Sequence, residues 1–251
     1  MSLTKILLIL AAGISAGFIN TMAGGGSLIT LPLLIFLGLP AAAANGTNRA
    51  ALLVENITAV INFRDKGYFD YKFGLILALP AVIGSLIGAQ IAVSISEQLF
   101  NQLLSVIMFV MLILILWNPA KKMKISDKKL SKKRKITAGL VFFVIGIYGG
   151  FIQAGVGIII IAALSLLTGF SLVKINSLKV FVVAIYIFSS LSIFVLNGKV
   201  DWGTALILAL GNGTGSFFAS TLAVKKGEKL VKVVLTIAVI MMGSYLFYRS
   251  F

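Results

Sequence analysis

The chain has 251 residues, of which 59% are hydrophobic, and 22 lysines and arginines against seven acidic residues give it a net charge of +15. The mean hydropathy of +1.08 exceeds what the core of a soluble domain requires and indicates a polytopic membrane protein. Cysteine and histidine are absent, which excludes disulfides, thiolate chemistry, haem ligation and most zinc sites, so we expect no cofactor and no bound metal.

The positive charge is concentrated in one loop. Nine of the 22 basic residues lie between Lys121 and Lys135. By the positive-inside rule this loop, 119–135, is predicted to be cytoplasmic, with anionic phospholipid headgroups as its expected partner. Nucleic acid is not an expected partner, because the sequence contains no recognisable module for base readout.

Ten apolar segments follow one another along the chain and predict an all-α fold. They lie at 4–22, 27–39, 45–63, 73–93 and 98–118, then at 136–153, 157–168, 177–196, 202–224 and 229–248. Glycine-rich sequence separates the first two segments of each set of five, which gives broken pairs at 4–39 and 136–168. Each pair is predicted to be a re-entrant hairpin or two short spans, followed by three transmembrane helices.

The second set of segments repeats the first at a constant offset of 131 residues. Asn45 returns as Asn176, and the five residues Leu75–Leu79 return unchanged as Leu206–Leu210. Because the same offset relates many equivalent residues, the sequence indicates that one ancestral unit was duplicated. The predicted division is a first repeat at 1–118, a basic linker at 119–135 and a second repeat at 136–251.

The distribution of charge predicts the orientation of the repeats. With 119–135 in the cytoplasm, an odd number of crossings in each repeat keeps most lysines and arginines on the cytoplasmic side. The two repeats are then inverted with respect to each other, and both termini lie outside. Secondary transporters share this architecture, and their sites lie near the membrane midplane at interrupted helices.

Glycines 24–26 interrupt the first broken pair. Each costs roughly 1 kcal/mol relative to alanine in a helix. Non-helical backbone at membrane depth is tolerated only where protein buries it or where it lines a cavity. The helix that restarts at Ser27 offers free N–H groups and a positive dipole end, which suit an anion. Because the interruption recurs at Gly155 and Gly157, both breaks are predicted to line a binding site.

Polar side chains near the two breaks complete the candidate site. The predicted substrate-binding residues are Asn20, Gly24, Gly25, Gly26, Ser27, Asn45, Asn48, Gln153, Gly155, Gly157, Asn176 and Lys179. Glu55 is acidic and lies near the middle of its span, so it is either the site of proton or ion coupling or a structural partner for Lys179 or a helix end. Lys179 is expected either to contact the anion or to reach the cytoplasmic interface. Arg49 has the same two alternatives on the opposite side, of which the interface is favoured.

The sequences at the two breaks resemble a known family. They resemble sequences of the sulfite exporter TauE/SafE family. The first is AGGGSLITLP at 23–32, followed by Gly38 and Asn45. The second is a degenerate copy, GGFxxAGxG at 149–157, followed by Asn176-x-x-Lys179-Val180. The resemblance covers nearly the whole chain. It implies an inner-membrane permease for organosulfur anions, usually exporting, whose two glycine-rich regions form the transport core. The second copy lacks the triple glycine and the proline of the first.

The broken helices predict a secondary transporter that moves a small anion across the plasma membrane by alternating access. The resemblance implies that this anion is sulfite or an organosulfonate such as sulfoacetate and that it is exported. An anion channel and a carrier of a carboxylate or another small solute stay open as alternatives, as do a monomer and a homodimer. A phosphate-binding loop and a His-Glu-x-x-His motif are both absent from the sequence, so we do not expect an enzyme.

Overall fold

The computed structural model describes residues 1–117 and 131–222, together with residues 240, 244, 247 and 248. The helices in this part of the chain are α1 (Leu3–Ala23), α2 (Ser27–Phe36), α3 (Ala41–Asp65), α4 (Tyr71–Ser94), α5 (Glu97–Trp117), α6 (Lys132–Phe151), α7 (Val156–Thr168), α8 (Leu172–Leu196) and α9 (Trp202–Leu222). No strand occurs among the described residues, which agrees with the predicted all-α class. Most of the predicted linker and nearly all of the predicted segment 229–248 lie outside the described residues.

Capping residues set where several helices begin. Ser131 and Ser171 each accept a hydrogen bond from the backbone N–H three residues further on, which satisfies one of the free donors of the first turn. The helices that follow, α6 and α8, therefore begin several residues before the apolar segments predicted there. The end of the predicted linker, 132–135, is helical for this reason. Likewise, α3 begins directly after Pro40 and not at residue 45.

Five of the described helices, α1, α4, α5, α6 and α8, are long and apolar enough to cross a membrane. By contrast, α2 and α7 have 10 and 13 residues. At 1.5 Å per residue these lengths correspond to about 15 and 20 Å, short of the roughly 30 Å hydrocarbon core. Each short helix follows a helix of full length, α1 or α6. Each glycine break therefore comes at the end of a span-length helix and does not divide one in its middle.

The helices pack in two matching sets. In the first set, α1 packs against α9, and α3 packs against α9. In the second set, α6 packs against α4, and α8 packs against α4. The sets meet where α3 contacts α8. Exchanging α1, α3 and α4 for α6, α8 and α9 leaves this pattern unchanged, so it follows the offset of 131 residues seen in the sequence.

Glycines let the pairs α1–α9 and α4–α6 pack backbone to backbone. A Cβ on Gly215 would lie 2.0 Å from the carbonyl oxygen of Ile14, and a Cβ on Gly84 would lie 2.1 Å from that of Phe143. Gly84 and Gly215 are equivalent positions at the offset of 131 residues. Close packing through small residues is typical of membrane helices, so these glycines have a structural role.

The outer surface is apolar and the interior is partly polar. Leu79, Leu140, Phe188, Leu196 and Leu210 are between 64% and 82% exposed. In contrast, α3 and α8 bury many polar and charged side chains between the other helices. A soluble protein has the opposite distribution, and ionisable groups inside a membrane protein face its interior. The site described below lies in this polar interior.

Candidate functional site

The two glycine breaks lie against each other. A Cβ on Gly24 would be 2.2 Å from the carbonyl carbon of Gly157, and a Cβ on Gly157 would be 2.4 Å from the Cα of Gly24. Gly24 and Gly155 have φ angles of +82° and +71°, in the left-handed region that favours glycine. The backbones at the two breaks touch because Gly24 and Gly157 carry no side chain.

The other glycines of the first break bring α2 back beside α1. A Cβ on Gly26 would lie 2.1 Å from the carbonyl oxygen of Ala16 in α1. The carbonyl oxygen of Gly25 accepts a hydrogen bond from the N–H of Leu28, at 3.1 Å, in the first turn of α2. Both glycines are buried. The triple glycine thus allows a chain reversal inside the protein.

Ser27 connects the two breaks by hydrogen bonds in both directions. Its hydroxyl donates to the carbonyl oxygen of Gln153 and accepts from the backbone N–H of Gly155, both at 3.2 Å. Gln153 has a φ of +69°, which is uncommon for a residue with a side chain. Its side-chain oxygen accepts from the hydroxyl of Tyr186 at 3.0 Å. The start of α2 is therefore fixed to the loop between α6 and α7.

Lys179 and Asn176 of α8 cap the C-terminal end of α1. The ammonium of Lys179 donates to the carbonyl oxygens of Asn20 and Thr21 at 2.7 and 3.0 Å, and to the side-chain oxygen of Asn176 at 2.9 Å. Asn176 also donates to the carbonyl oxygen of Met22 at 3.3 Å. Three hydrogen bonds match the three donors of an ammonium group, and a cation is favoured at the negative end of a helix. Lys179 is therefore a helix cap in this conformation.

Glu55 is buried beside the same end of α1. One carboxylate oxygen accepts from the side-chain amide of Asn20 at 2.5 Å, and the other accepts from that of Asn212 at 3.0 Å. Asn20 therefore bonds to both Glu55 and Lys179, through its side chain and its carbonyl oxygen. Of the two roles predicted for Glu55, these contacts favour that of a partner at a helix end. Among the described residues, no group of three acidic, histidine or cysteine side chains forms a candidate metal site.

Arg49 and Asn45 of α3 cap the C-terminal end of α6. The guanidinium of Arg49 donates to the carbonyl oxygen of Gly150 at 2.6 Å and to the hydroxyl of Ser190 at 3.0 Å. The side-chain amide of Asn45 donates to the carbonyl oxygen of Phe151 at 2.7 Å. Arg49 is 0% exposed, so the expectation that it reaches the membrane interface is wrong. Because α3 begins at Ala41, Arg49 lies about two turns inside the helix.

Several buried polar atoms of α3 are left without a partner within the described residues. The side-chain oxygen of Asn48 accepts from the hydroxyl of Thr30 at 2.7 Å, but its amide nitrogen has no partner. The same holds for the side-chain oxygen of Asn45 and for Nε of Arg49. Buried polar groups in native proteins are nearly always hydrogen-bonded, so this face of α3 offers unused donors and an unused acceptor.

Sequence reasoning missed the polar partners on α9. Asn212 donates to the carboxylate of Glu55, and the hydroxyl of Ser216 donates to the backbone carbonyl of Glu55 at 2.9 Å. Ser216 also accepts from the hydroxyl of Thr21 at 2.9 Å. An asparagine within a predicted span was the available signal, because polar groups at membrane depth are expensive. Asn212 lies in a glycine-rich segment, and the spacing of those glycines indicates only close packing of helices.

Comparison with known proteins identifies relatives along almost the entire chain. Residues 9–246 match the model of the family described as Sulfite exporter TauE/SafE. The chain is 29% identical over 243 residues to the probable membrane transporter protein YfcA of Escherichia coli K12, a match that covers 94% of this chain and 87% of that protein. It is 26% identical over 243 residues to a probable membrane transporter protein of Haemophilus influenzae, with 97% and 94% covered. No solved structure matches the chain.

The family match confirms the resemblance drawn from the sequences at the two breaks. Both breaks, the two caps and the buried Glu55 all lie inside the matched range of 9–246. The relatives in Escherichia coli and Haemophilus influenzae are matched over most of their own length and are both named probable membrane transporters. With its helical, apolar fold, this polytopic membrane protein belongs to the sulfite exporter TauE/SafE family.

Proposed function

We propose that the protein is a secondary transporter of the inner membrane that exports a small anion, sulfite or an organosulfonate such as sulfoacetate, by alternating access. The observation that carries this function is the contact between Gly24 and Gly157, since it brings the N-terminal ends of α2 and α7 together. Helix N-termini favour anions through their free N–H groups and positive dipole ends. The candidate residues around the two breaks are the proposed lining of the site. The family description supports the substrate class.

The reciprocal caps support a mechanism in which one repeat moves against the other. Lys179 and Asn176, from the second repeat, hold the end of α1 in the first. Arg49 and Asn45, from the first repeat, hold the end of α6 in the second. A displacement of one repeat therefore changes the hydrogen bonds at both breaks. In this mechanism the breaks respond directly to the motion that opens and closes the site.

The matching contacts of the two helix sets support inverted repeats. The exchange that relates α1, α3 and α4 to α6, α8 and α9 preserves all the main helix contacts. With an odd number of crossings in each repeat, the second copy lies upside down with respect to the first. The basic segment 119–135 then faces the cytoplasm and its anionic lipid headgroups, and both termini lie outside.

Equivalent turns of the two repeats are expected on opposite sides of the membrane. Tyr68 and Lys199 are separated by the repeat offset, and both are exposed. The chain has no cysteine of its own, so Tyr68→Cys and Lys199→Cys each introduce a single thiol. In intact cells we expect a membrane-impermeant maleimide to label Lys199→Cys and to spare Tyr68→Cys until the membrane is permeabilised. Labelling of both thiols, or of neither, in intact cells would exclude inverted repeats.

The membrane potential favours export of an anion. A cytoplasm-negative potential contributes roughly 2.3 kcal/mol for each negative charge per 100 mV, which is about fiftyfold in concentration. Export of a monoanion therefore needs no coupling ion, whereas uptake would need one. If transport is coupled to an ion, Glu55 is the candidate residue, because it is a buried carboxylate beside a break.

Purified protein in proteoliposomes is expected to transport labelled sulfite or sulfoacetate with saturation. Because a carrier exposes one site at a time, an excess of unlabelled anion on the opposite side should accelerate exchange. The measurement is the initial rate of label uptake with and without the trans anion, at potentials set by a potassium gradient. Liposomes without protein are the control. Absence of saturable flux for the sulfur anions and for a panel of carboxylates would contradict the proposed function.

The same assay separates a carrier from a channel and tests coupling. Large unitary currents in planar bilayers, without acceleration by the trans anion, would indicate an anion channel. In Glu55→Gln, a carrier coupled through Glu55 is expected to keep anion exchange but to lose its response to an imposed proton or sodium gradient. If the variant responds to the gradients as the wild type does, Glu55 is not the coupling residue.

A further inference from the structure

The buried interior of the described residues contains more positive than negative charge. Its charged side chains are Arg49, Glu55 and Lys179, which are 0%, 1% and 2% exposed. The other described carboxylates belong to helix ends or turns and are exposed or half-exposed: Asp65, Asp70, Glu97 and Asp201. Two cations therefore face one carboxylate in the interior. A buried charge is costly unless it is paired with an opposite one.

The first break contains both members of a compensated pair. Glu55 and Lys179 bond to the same residue, Asn20, at the C-terminal end of α1. All three protons of the Lys179 ammonium are used by protein oxygens. The two opposite charges are therefore connected through Asn20, and the ammonium has no donor left for a ligand in this conformation.

Within the described ranges, the cation of the second break has no carboxylate partner. The hydrogen-bond partners of Arg49 at this break are neutral, namely the carbonyl of Gly150 and the hydroxyl of Ser190. The ring of Phe194 lies 4.7 Å from the guanidinium carbon. Nε has no partner among the described residues. A guanidinium has five N–H donors in a planar fork that matches oxyanions, and its bonds to Gly150 and Ser190 leave part of that fork free.

Tyr186 occupies the position at the second break that corresponds to Glu55 at the first. The two residues are separated by the repeat offset of 131, and equivalent serines mark the match. Ser216 donates to the backbone carbonyl of Glu55 at 2.9 Å, and Ser85 donates to that of Tyr186 at 3.2 Å. Where the first break has a carboxylate to balance its cation, the second therefore has a neutral hydroxyl.

We propose, on the basis of the function proposed above, that the transported anion binds at the second break and that Arg49 is its counter-ion. The anion supplies the negative charge that Glu55 supplies at the first break. The free amide nitrogen of Asn48, the neighbour of Arg49 on α3, is a second donor available to it. Lys179 has a different role, since it ends α1 and is balanced within the protein.

Binding of sulfite and of sulfoacetate to the full-length protein in detergent tests this site. Isothermal titration should show that Arg49→Gln weakens binding by about 10- to 100-fold, the loss expected for one charged hydrogen-bond partner. Arg49→Lys should weaken binding less, because it keeps the charge and loses only the planar fork. Lys199→Gln, which removes an exposed cation, should bind as the wild type does.

A second variant tests the charge balance while leaving Arg49 in place. The hydroxyl of Tyr186 lies next to the helix end that Arg49 caps, since a Cβ on Gly149 would be 2.9 Å from its oxygen. Tyr186→Glu therefore puts a carboxylate where Glu55 stands in the first repeat. We expect it to compete with the anion and to weaken binding at least about tenfold. A purely structural role for Arg49 predicts no such loss in Tyr186→Glu.

The outcomes separate this inference from the proposed function. If the wild type binds the sulfur anions and folded Arg49→Gln and Tyr186→Glu bind them equally well, Arg49 is not the counter-ion, although transport of the anion stands. If Arg49→Gln does not fold, Tyr186→Glu decides, and if that variant also fails to fold, wild-type affinity in Arg49→Lys for both anions overturns the assignment. If the wild type binds neither sulfur anions nor carboxylates, the proposed function and the site both fail.

Discussion

Gly157→Ala is expected to abolish anion exchange and to lower the free energy of unfolding by about 1–3 kcal/mol or more. The added Cβ would lie 2.4 Å from the Cα of Gly24 and 2.8 Å from its carbonyl oxygen. Both atoms belong to the backbone, which has no flexible side chain to move away. The two breaks must then separate, and the bonds between Ser27 and the loop at Gln153 and Gly155 are lost with them.

Gly139→Ala is the matched control for this substitution. Gly139 also lies in a helix, but a Cβ there would come no closer than 3.8 Å to Pro80. It should keep exchange at the wild-type rate and gain slightly in stability, because alanine is the better helix former. Both variants are compared by thermal unfolding in detergent and by anion exchange in proteoliposomes. Normal exchange in Gly157→Ala would mean that contact between the breaks is not needed for transport.

The two breaks share the same capping geometry but differ in their buried charges. The helices α1 and α6 each end at a glycine break. A cation and an asparagine of α8 cap the end of α1, and a cation and an asparagine of α3 cap the end of α6. The geometry is repeated, whereas the charge is not, since Glu55 has Tyr186 as its counterpart. Among the described residues, the two matching breaks therefore differ in charge, because only the first has a buried carboxylate beside its cation.

Most of the fold follows from the sequence, because apolar length and glycine punctuation are local signals. The predicted segments 73–93 and 202–224 agree closely with α4 and α9. The starts of α3 and α8 were placed too late, because their first turns are polar and are determined by Pro40 and by the capping hydroxyl of Ser171. Apolar runs reveal where lipid contacts a helix, but they do not reveal a polar first turn that protein buries.

The site was less predictable, because hydrogen-bond partners depend on packing between distant helices. The sequence indicates that Glu55 and Lys179 are unusual for a span, but not that Asn20 would contact both. Because the predicted start of α3 is too late, Arg49 is expected near a helix end. Its actual burial between α6 and α8 does not follow from that predicted start. Carbonyl groups are present at every residue, so the sequence does not mark which of them a lysine will cap.

Lys179→Met is expected to destabilise the protein by about 3–5 kcal/mol, the cost of leaving a buried charge without its partner. Glu55 would keep its two amide donors but lose the nearby cation, and the carbonyls of Asn20 and Thr21 would lose their donor. Glu55→Gln should cost less, because Lys179 would keep its bonds to the end of α1, where the helix dipole favours a cation. Unfolding in detergent, followed by circular dichroism, measures both.

The double variant tests whether the two charges compensate each other. Lys179→Met with Glu55→Gln leaves no unbalanced charge at the first break, so its loss of stability should be smaller than the sum of the single losses. Residues that share one hydrogen-bond network show coupling energies of about 0.5–3 kcal/mol. Lys174 and Asp70 are the control, since their charged groups lie 3.5 Å apart but are each 36% exposed. The same cycle with Lys174→Met and Asp70→Asn should give about 0–1 kcal/mol.

Equal coupling in the two cycles would mean that Glu55 does not balance Lys179. The first break would then contain an unbalanced cation, as the second does, and the charge difference between the breaks would disappear. Strong coupling at the first break has a further consequence for transport. An anion that approached Lys179 would have to displace Glu55 or wait for it to be protonated, whereas at Arg49 it meets no carboxylate. The internal pair would thereby direct the anion to the second break.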